Sequence, residues 1–170
     1  MSEGLRDPAA ERARARAVLD AQEGTGPVPL ASADEALDVL ARARRIAVVG
    51  ASPDELRLSH GVMRYLLGQG YDCVPINPHA AEVLGVPAFA TLEEAAAATG
   101  PFDVVDVFRR PEHAADVARS AVATGARALW LQLGVVNWEA ARIAHAAGLA
   151  VVMDRCTAID HRRLRALRER

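Results

Sequence analysis

"RRIAVVGASPDELRLSH", residues 44–60, joins two kinds of pattern at a single glycine. Its first half, Ile46-Ala47-Val48-Val49, is apolar at every position, as in a strand buried on both faces. The run stops at Gly50, passes through a polar loop containing Pro53, and re-emerges as a helical pattern that opens near Ser59. A buried strand that turns through glycine into a helix is the opening unit of a parallel α/β sheet. The dinucleotide fingerprint G-x-G-x-x-G is absent, since the next glycine is Gly61.

The same unit repeats downstream. "DCVPIN" (72–77), "VPAFA" (86–90), "DVVDVF" (103–108), "ALWLQLG" (128–134) and "LAVVMD" (149–154) read as further short strands, making six with "RIAVVG" (45–50). Helical segments with readable ends lie between them. Ser32 with Glu35, and Thr91 with Glu94, have capping-box spacing. Ser59 is placed to cap the helix that runs to Gly68–Gly70, and Pro111 suits a helix first turn. Asn137 caps a helix that Gly148 ends. The expectation is a doubly wound α/β domain, its sheet mainly parallel in Rossmann-like order, with helices on both faces.

Upstream, "EGTGPVP" (23–29) breaks any helix formed by the charged, alanine-rich first twenty residues. Residues 1–30 are therefore expected to be a loosely attached, partly helical extension, and residues 31–170 the folded domain. Composition narrows the function classes. With 51% hydrophobic and 25% charged residues the chain has an ordinary globular profile. It carries neither a signal-peptide pattern nor a membrane-length apolar run, so a cytoplasmic protein is expected. A net charge of −2 argues against a nucleic-acid-coating role. The sequence contains no lysine, which excludes a Walker lysine and Schiff-base chemistry. Cys73 and Cys156 are far apart and form no metal-type pair, so no metal is expected.

In an open parallel sheet the ligand lies outside the carboxyl ends of the strands, so the residues following each run are the candidates. After the first strand, Gly50, Ala51 and Ser52, with Ser59 and His60 at the next helix, offer backbone N–H groups and hydroxyls to an anion. Arg57 adds a charge. The plainer alternative is a strand-to-helix turn with a cap. After the second strand, Asn77-Pro78 and His79 stand where a NAD site places an acid for the ribose hydroxyls. An uncharged Asn suits a ribose that carries a phosphate, and an Asn-Pro turn is the alternative. Phe108, Arg109 and Arg110 follow the fourth run, the arginines at a helix start where an anion would stabilise them. Gln132 interrupts an apolar strand and must bond to a ligand amide or to neighbouring backbone.

The last run leads into Asp154-Arg155-Cys156. An arginine beside a thiol favours reactivity, which would make Cys156 a nucleophile. The plainer reading has a buried cysteine, with an Asp154–Arg155 pair holding the C-terminal segment. In the basic tail "HRRLRALRER", Leu164 and Leu167 are expected to pack inward.

Read together, "VVGASP", "SHGVMRYL", "GYDCVPINP", "VDVFRRPE", "WLQLGV" and "VVMDRC" resemble the small bacterial CoA-binding-domain proteins, relatives of the CoA-binding domain of the succinyl-CoA synthetase alpha subunit. The resemblance covers roughly residues 35–165. It implies a domain that binds coenzyme A or an acyl-CoA without an assigned reaction. Gly50-Ala51-Ser52 and Ser59-His60 would face the diphosphate, and Asn77-Pro78 the adenosine ribose and its 3′-phosphate. Val107-Phe108-Arg109 would line the adenine or the start of the pantetheine arm. His79 stands where many relatives put a basic residue, and Arg57 or Arg109 would compensate. No catalytic residue is implied, and the synthetase's phosphorylated histidine and second ligase domain have no counterpart. The rival expectation is an enzyme, either an NAD(P) oxidoreductase or a CoA-thioester enzyme using Cys156. The expected partner is the small-molecule ligand, with neither nucleic acid nor membrane. Self-association or a protein contact would run through the N-terminal extension.

Overall fold

The structure, a computed structural model, describes residues 7–170; residues 1–6 of the extension lie outside the described residues. In chain order the elements are α1 (Pro8–Glu23), α2 (Ala33–Arg42), β1 (Arg45–Val49), α3 (Leu58–Gly68), β2 (Asp72–Ile76), β3 (Glu82–Val83), β4 (Val86–Pro87), α4 (Leu92–Thr99), β5 (Val104–Val107), α5 (Ala114–Ala123), β6 (Ala128–Leu131), α6 (Trp138–Ala146), β7 (Ala150–Val152) and α7 (Thr157–Arg168). A 3₁₀ turn, Pro111–His113, leads into α5.

Five strands form one parallel sheet in the order β2-β1-β5-β6-β7. Alternate residues feed two cores, because successive side chains of a strand face opposite ways. Ala47, Val49, Val105, Val107, Leu129 and Leu131 pack with α4, α5 and α6. Ile46, Val48, Val104, Trp130 and Val152 pack with α2, α3 and α7. Trp130 is fully buried, and its indole N–H donates to the Arg155 carbonyl at 2.8 Å. No described helix is long and apolar enough to cross a membrane.

The run "VPAFA" does not enter the sheet as a full strand. Its first two residues form β4, which pairs with β3 in a two-stranded hairpin. The hairpin turns through Leu84 and Gly85, both at positive φ. Only Phe89 reaches the sheet edge, as a single parallel bridge to Ile76. There the Phe89 N–H donates to Pro75 and its carbonyl accepts from Asn77. This rudiment occupies the outer place of a Rossmann order, 3-2-1-4-5-6. It also explains how Pro75 sits within β2. The carbonyl of Pro75 points to the edge, so its missing N–H falls on the sparsely paired side.

The predicted caps sit at Ser32, which makes the full reciprocal box with Glu35, at Thr91, which accepts from Glu94 N–H, and at Asn137, which accepts from Ala140 N–H. Ser59 differs. Helix α3 begins at Leu58, with Arg57 as its uncapped N-cap and Ser59 inside the first turn, buried. The C-terminal helix buries Leu164, whereas Leu167 stays half exposed.

Helix α1 has no buried residue, as its charged pattern requires. It is nevertheless tethered: the Trp138 indole N–H donates to the Ala17 carbonyl at 3.1 Å. Downstream, Ala21, Val28 and Leu30 pack on the α4–α6 side of the core. Gly26 lies flat on the same indole, where any Cβ would run into the ring. Gly26→Val should therefore loosen α1. Tryptic cleavage at its arginines is expected to rise about fivefold, the population change that ~1 kcal/mol produces. Unchanged cleavage would show that this contact does not hold the helix.

Candidate functional site

From β1 the chain moves outward to β2, then returns to β5 on the other side of β1. The loops after β1 and β5 therefore part at their carboxyl ends and leave a crevice, the usual ligand position of an open α/β sheet. A cavity of about 330 Å³ lies there. The loop after β1 and the start of α3 line one side with Gly50, Ala51, Ser52, Arg57, Leu58 and Ser59. Asn77, Phe108, Gln132, Leu133 and Val135 line the other.

Gly50 has φ +86°, and a Cβ added to it would stand 3.1 Å from the Phe108 carbonyl oxygen and 3.3 Å from Arg109 Cδ. Glycine is needed here both for the left-handed turn and for the close approach of the two loops. The next residues are pinned from both sides. Asn77 donates through Nδ2 to the Ala51 carbonyl at 2.8 Å, and its Oδ1 accepts from the His79 N–H at 2.8 Å. His60 donates through Nδ1 to the Ser52 carbonyl at 2.9 Å, the only role a ring nitrogen can take toward a carbonyl. The Ser52 hydroxyl accepts from the Asp54 N–H. No side chain caps α3: the His60 N–H donates to the Arg57 carbonyl at 3.1 Å, and the Leu58 and Ser59 N–H groups remain open to an acceptor from the cavity. Asn77→Ala removes one of these pins. The expected cost is about 1 kcal/mol in thermal unfolding, with ligand affinity down about fivefold by titration.

The expected residues separate by position. His60, Pro78, Val107 and Arg109 do not line the cavity. His60 acts on the loop from behind, Pro78 is exposed, and Val107 is wholly buried in the core beneath α5. Arg109 is exposed and leans over Gly50. Arg57 is exposed at the rim, 3.9 Å from Asp54.

Gln132 bonds to buried side chains, not to the neighbouring backbone. Its Nε2 donates to Asp106 Oδ1 at 2.8 Å and to Thr157 Oγ1 at 3.0 Å, and Thr157 donates to Asp106 Oδ2 at 2.9 Å. Its Oε1 is the one buried side-chain polar atom without a partner among the described residues. All three side chains are essentially inaccessible, and of the three Gln132 alone lines the cavity. Burial raises the Asp106 carboxyl to about 7, against the opposing pull of the hydrogen bonds from Gln132 and Thr157. Asp106 is not among the residues expected from the sequence. The available signal was an acid in an otherwise apolar strand, one strand away from an equally anomalous Gln. Burial likewise pushes the Cys73 thiol up to about 12, reinforced by Asp106 and Asp72, so it stays protonated.

The expected Asp154–Arg155 pair does not form. Asp154, at φ +56°, accepts from the Gly134 N–H at 2.8 Å. Arg155 instead makes a two-bond pair with Asp160, both at 2.7 Å. Cys156 is buried at the N-cap of α7.

Comparison with known proteins places this geometry in context. The model of a family described as "CoA binding domain" matches residues 44–162. The uncharacterized protein YneT of Bacillus subtilis (strain 168) is 41% identical over 127 residues, covering 75% of this chain and 92% of that protein. A hypothetical protein from Pyrococcus horikoshii OT3 superimposes with a TM-score of 0.74 at 36% identity, over 78% of this chain and 92% of that one. The cell-free ID.343 structure from Thermus thermophilus does so with a TM-score of 0.72 at 37% identity, over 78% and 98%.

Proposed function

Because the chain belongs to the CoA binding domain family, we propose that it binds coenzyme A, free or as an acyl thioester, in the crevice between the Gly50 and Phe108 loops. The observation that carries this reading is the combination at that crevice: a glycine turn facing an uncapped helix start, with Asn77-Pro78 where a NAD site holds an acid. An uncapped N-terminus stabilises anionic oxygens through free N–H groups and the helix dipole. A carboxylate at the end of β2 would repel a 3′-phosphate, and none stands at the Asn77 position.

In this reading the Gly50-Ala51-Ser52 backbone and the Ser59 turn of α3 take the diphosphate, with His60 holding the loop in shape. Asn77-Pro78, beside His79, borders the phosphorylated ribose. Arg57 and Arg109 close over the phosphates from the two rims. Phe108 offers its ring to the adenine or the first part of the pantetheine arm, and Val107 and Gln132 support the wall. Residues 31–170 form the binding unit and residues 1–30 the extension.

The module is carrier-like or regulatory rather than independently catalytic. In support, the cation expected to activate Cys156 is committed to Asp160. Cys156→Ser should leave CoA affinity unchanged. The outward face of the extension, where Leu19 is half exposed, is where a second copy or another protein would attach; light scattering with and without residues 1–30 tests that. Calorimetric titration tests the ligand itself. CoA is expected to bind more tightly than dephospho-CoA, and both more tightly than NAD(H). No heat with millimolar CoA would overturn the reading.

A further inference from the structure

At about 330 Å³ the crevice cavity is near the small end of ligand sites. A ligand the size of CoA extends beyond a cavity of this volume towards an adjoining surface, and the loop after β6 has two sides. Gln132, Leu133 and Val135 face the crevice cavity. Gly134, Val136 and Asn137 face a second cavity of about 560 Å³. The loop after β5 is shared in the same way, with Phe108 on the first cavity and Pro111 and Glu112 on the second. The far wall of the second cavity is α1, through Arg14, Ala17 and Val18.

That wall lies outside the stretch matched by the family model, which begins at residue 44. It is anchored at the carboxyl end of the sheet, through Trp138. Its chemistry also differs from that of the crevice. Ala17, Val18, Pro111 and Val136 give an apolar lining, and the Asn137 amide is already occupied by the Pro111 carbonyl and the Ala140 N–H. Arg14, exposed and in none of the ion pairs among the described residues, supplies a donor at the edge. Leu133, half exposed on the loop between the cavities, gives an apolar crossing.

We infer that the compartment between α1 and the loops after β5 and β6 receives the distal end of the ligand, so that an acyl-CoA thioester, with its acyl group against Ala17, Val18 and Val136, is the chemical class this chain is built to hold. The inference rests on the CoA reading of the crevice and adds α1 to the site.

Val18→Trp tests it by filling the compartment. Because α1 buries no residue in the core, the substitution leaves the domain fold intact, which a thermal melt verifies. Three probes are titrated into the full chain and the variant: CoA, butyryl-CoA, and 3′,5′-adenosine bisphosphate, which lacks the arm. The variant should bind butyryl-CoA about tenfold more weakly, a loss of scale usual for blocked apolar contacts, CoA by a smaller factor because it lacks the acyl group, and the bisphosphate unchanged. Arg14→Ala, at an exposed position, should weaken the same two ligands and spare the third. Equal binding of butyryl-CoA to both proteins would overturn the inference while leaving the CoA reading in place. Equal weakening of all three probes would overturn it too, because the effect would not be confined to the arm. If none of the three binds the unmodified chain, the CoA reading fails and this inference with it.

Discussion

Gly50→Val is expected to lower the melting temperature by roughly 10 °C and to weaken CoA binding at least about tenfold. Two costs combine at this position. The left-handed backbone, φ +86°, penalises any L side chain by about 1–2 kcal/mol, and a β-branched one by more. The new Cβ would also stand 3.1 Å from the Phe108 carbonyl oxygen, and that atom is backbone. It can yield only if the loop after β5 moves away from the loop after β1, and that movement deforms the crevice itself. The control is Gly85→Val in the β3–β4 hairpin. Gly85 also has positive φ (+75°), but a Cβ there meets nothing within 4 Å. It should share the strain and part of the melting loss while leaving CoA affinity unchanged. Equal affinity losses in the two variants would mean that the Gly50 turn has no special relation to the ligand.

Asp106→Asn should make the protein more stable at pH 8, with a gain that shrinks through pH 5 and vanishes only below the unfolded carboxyl value of 3.8. The carboxyl is completely buried, has two hydrogen-bond donors and no cation, and titrates near 7 instead of 3.8. Below the unfolded value both states hold the proton and nothing is lost. Between the two values the folded protein keeps its proton while the unfolded chain has released it, so stability falls as pH rises. Above about 7 the full penalty is present, on the order of 4 kcal/mol for a shift of this size. Asparagine presents the same shape without the charge and still accepts from Gln132. The gap between the melting temperatures of variant and parent should therefore widen by roughly 10 °C between pH 5 and pH 8. Parallel melting profiles across that range would show that Asp106 does not titrate there.

The α/β class was readable because the strands of the parallel sheet, Asp106 apart, are apolar on both faces and most of the intervening helices announce their ends. What was not readable turned on contacts between distant residues. "VPAFA" has strand composition, yet the left-handed pair Leu84-Gly85 folds its first residues back into a hairpin and leaves only Phe89 for the sheet. Asp154 and Arg155 are neighbours in sequence, but the positive φ of Asp154 turns their side chains to different partners, Gly134 and Asp160. Gln132 was recognisable as a polar residue in need of partners. Its partners come from β5 and α7, so only the register of β5 against β6 brings Asp106 within reach. At the crevice, Gly50, Asn77 and Phe108 follow the first, second and fourth runs of the sequence, and the switch point gathers them around one cavity. The position of α1 was hidden altogether, because its anchor is the single indole of Trp138, which the sequence presents as an ordinary first-turn residue of α6.

Native mass spectrometry of the freshly purified protein, followed by addition of CoA, tests the central claim most directly. A one-to-one adduct of CoA or acyl-CoA mass is expected, depleted in Gly50→Val and retained in Gly85→Val. A protein that shows no such adduct even with millimolar CoA, or one that takes up NAD in preference to CoA, would contradict it.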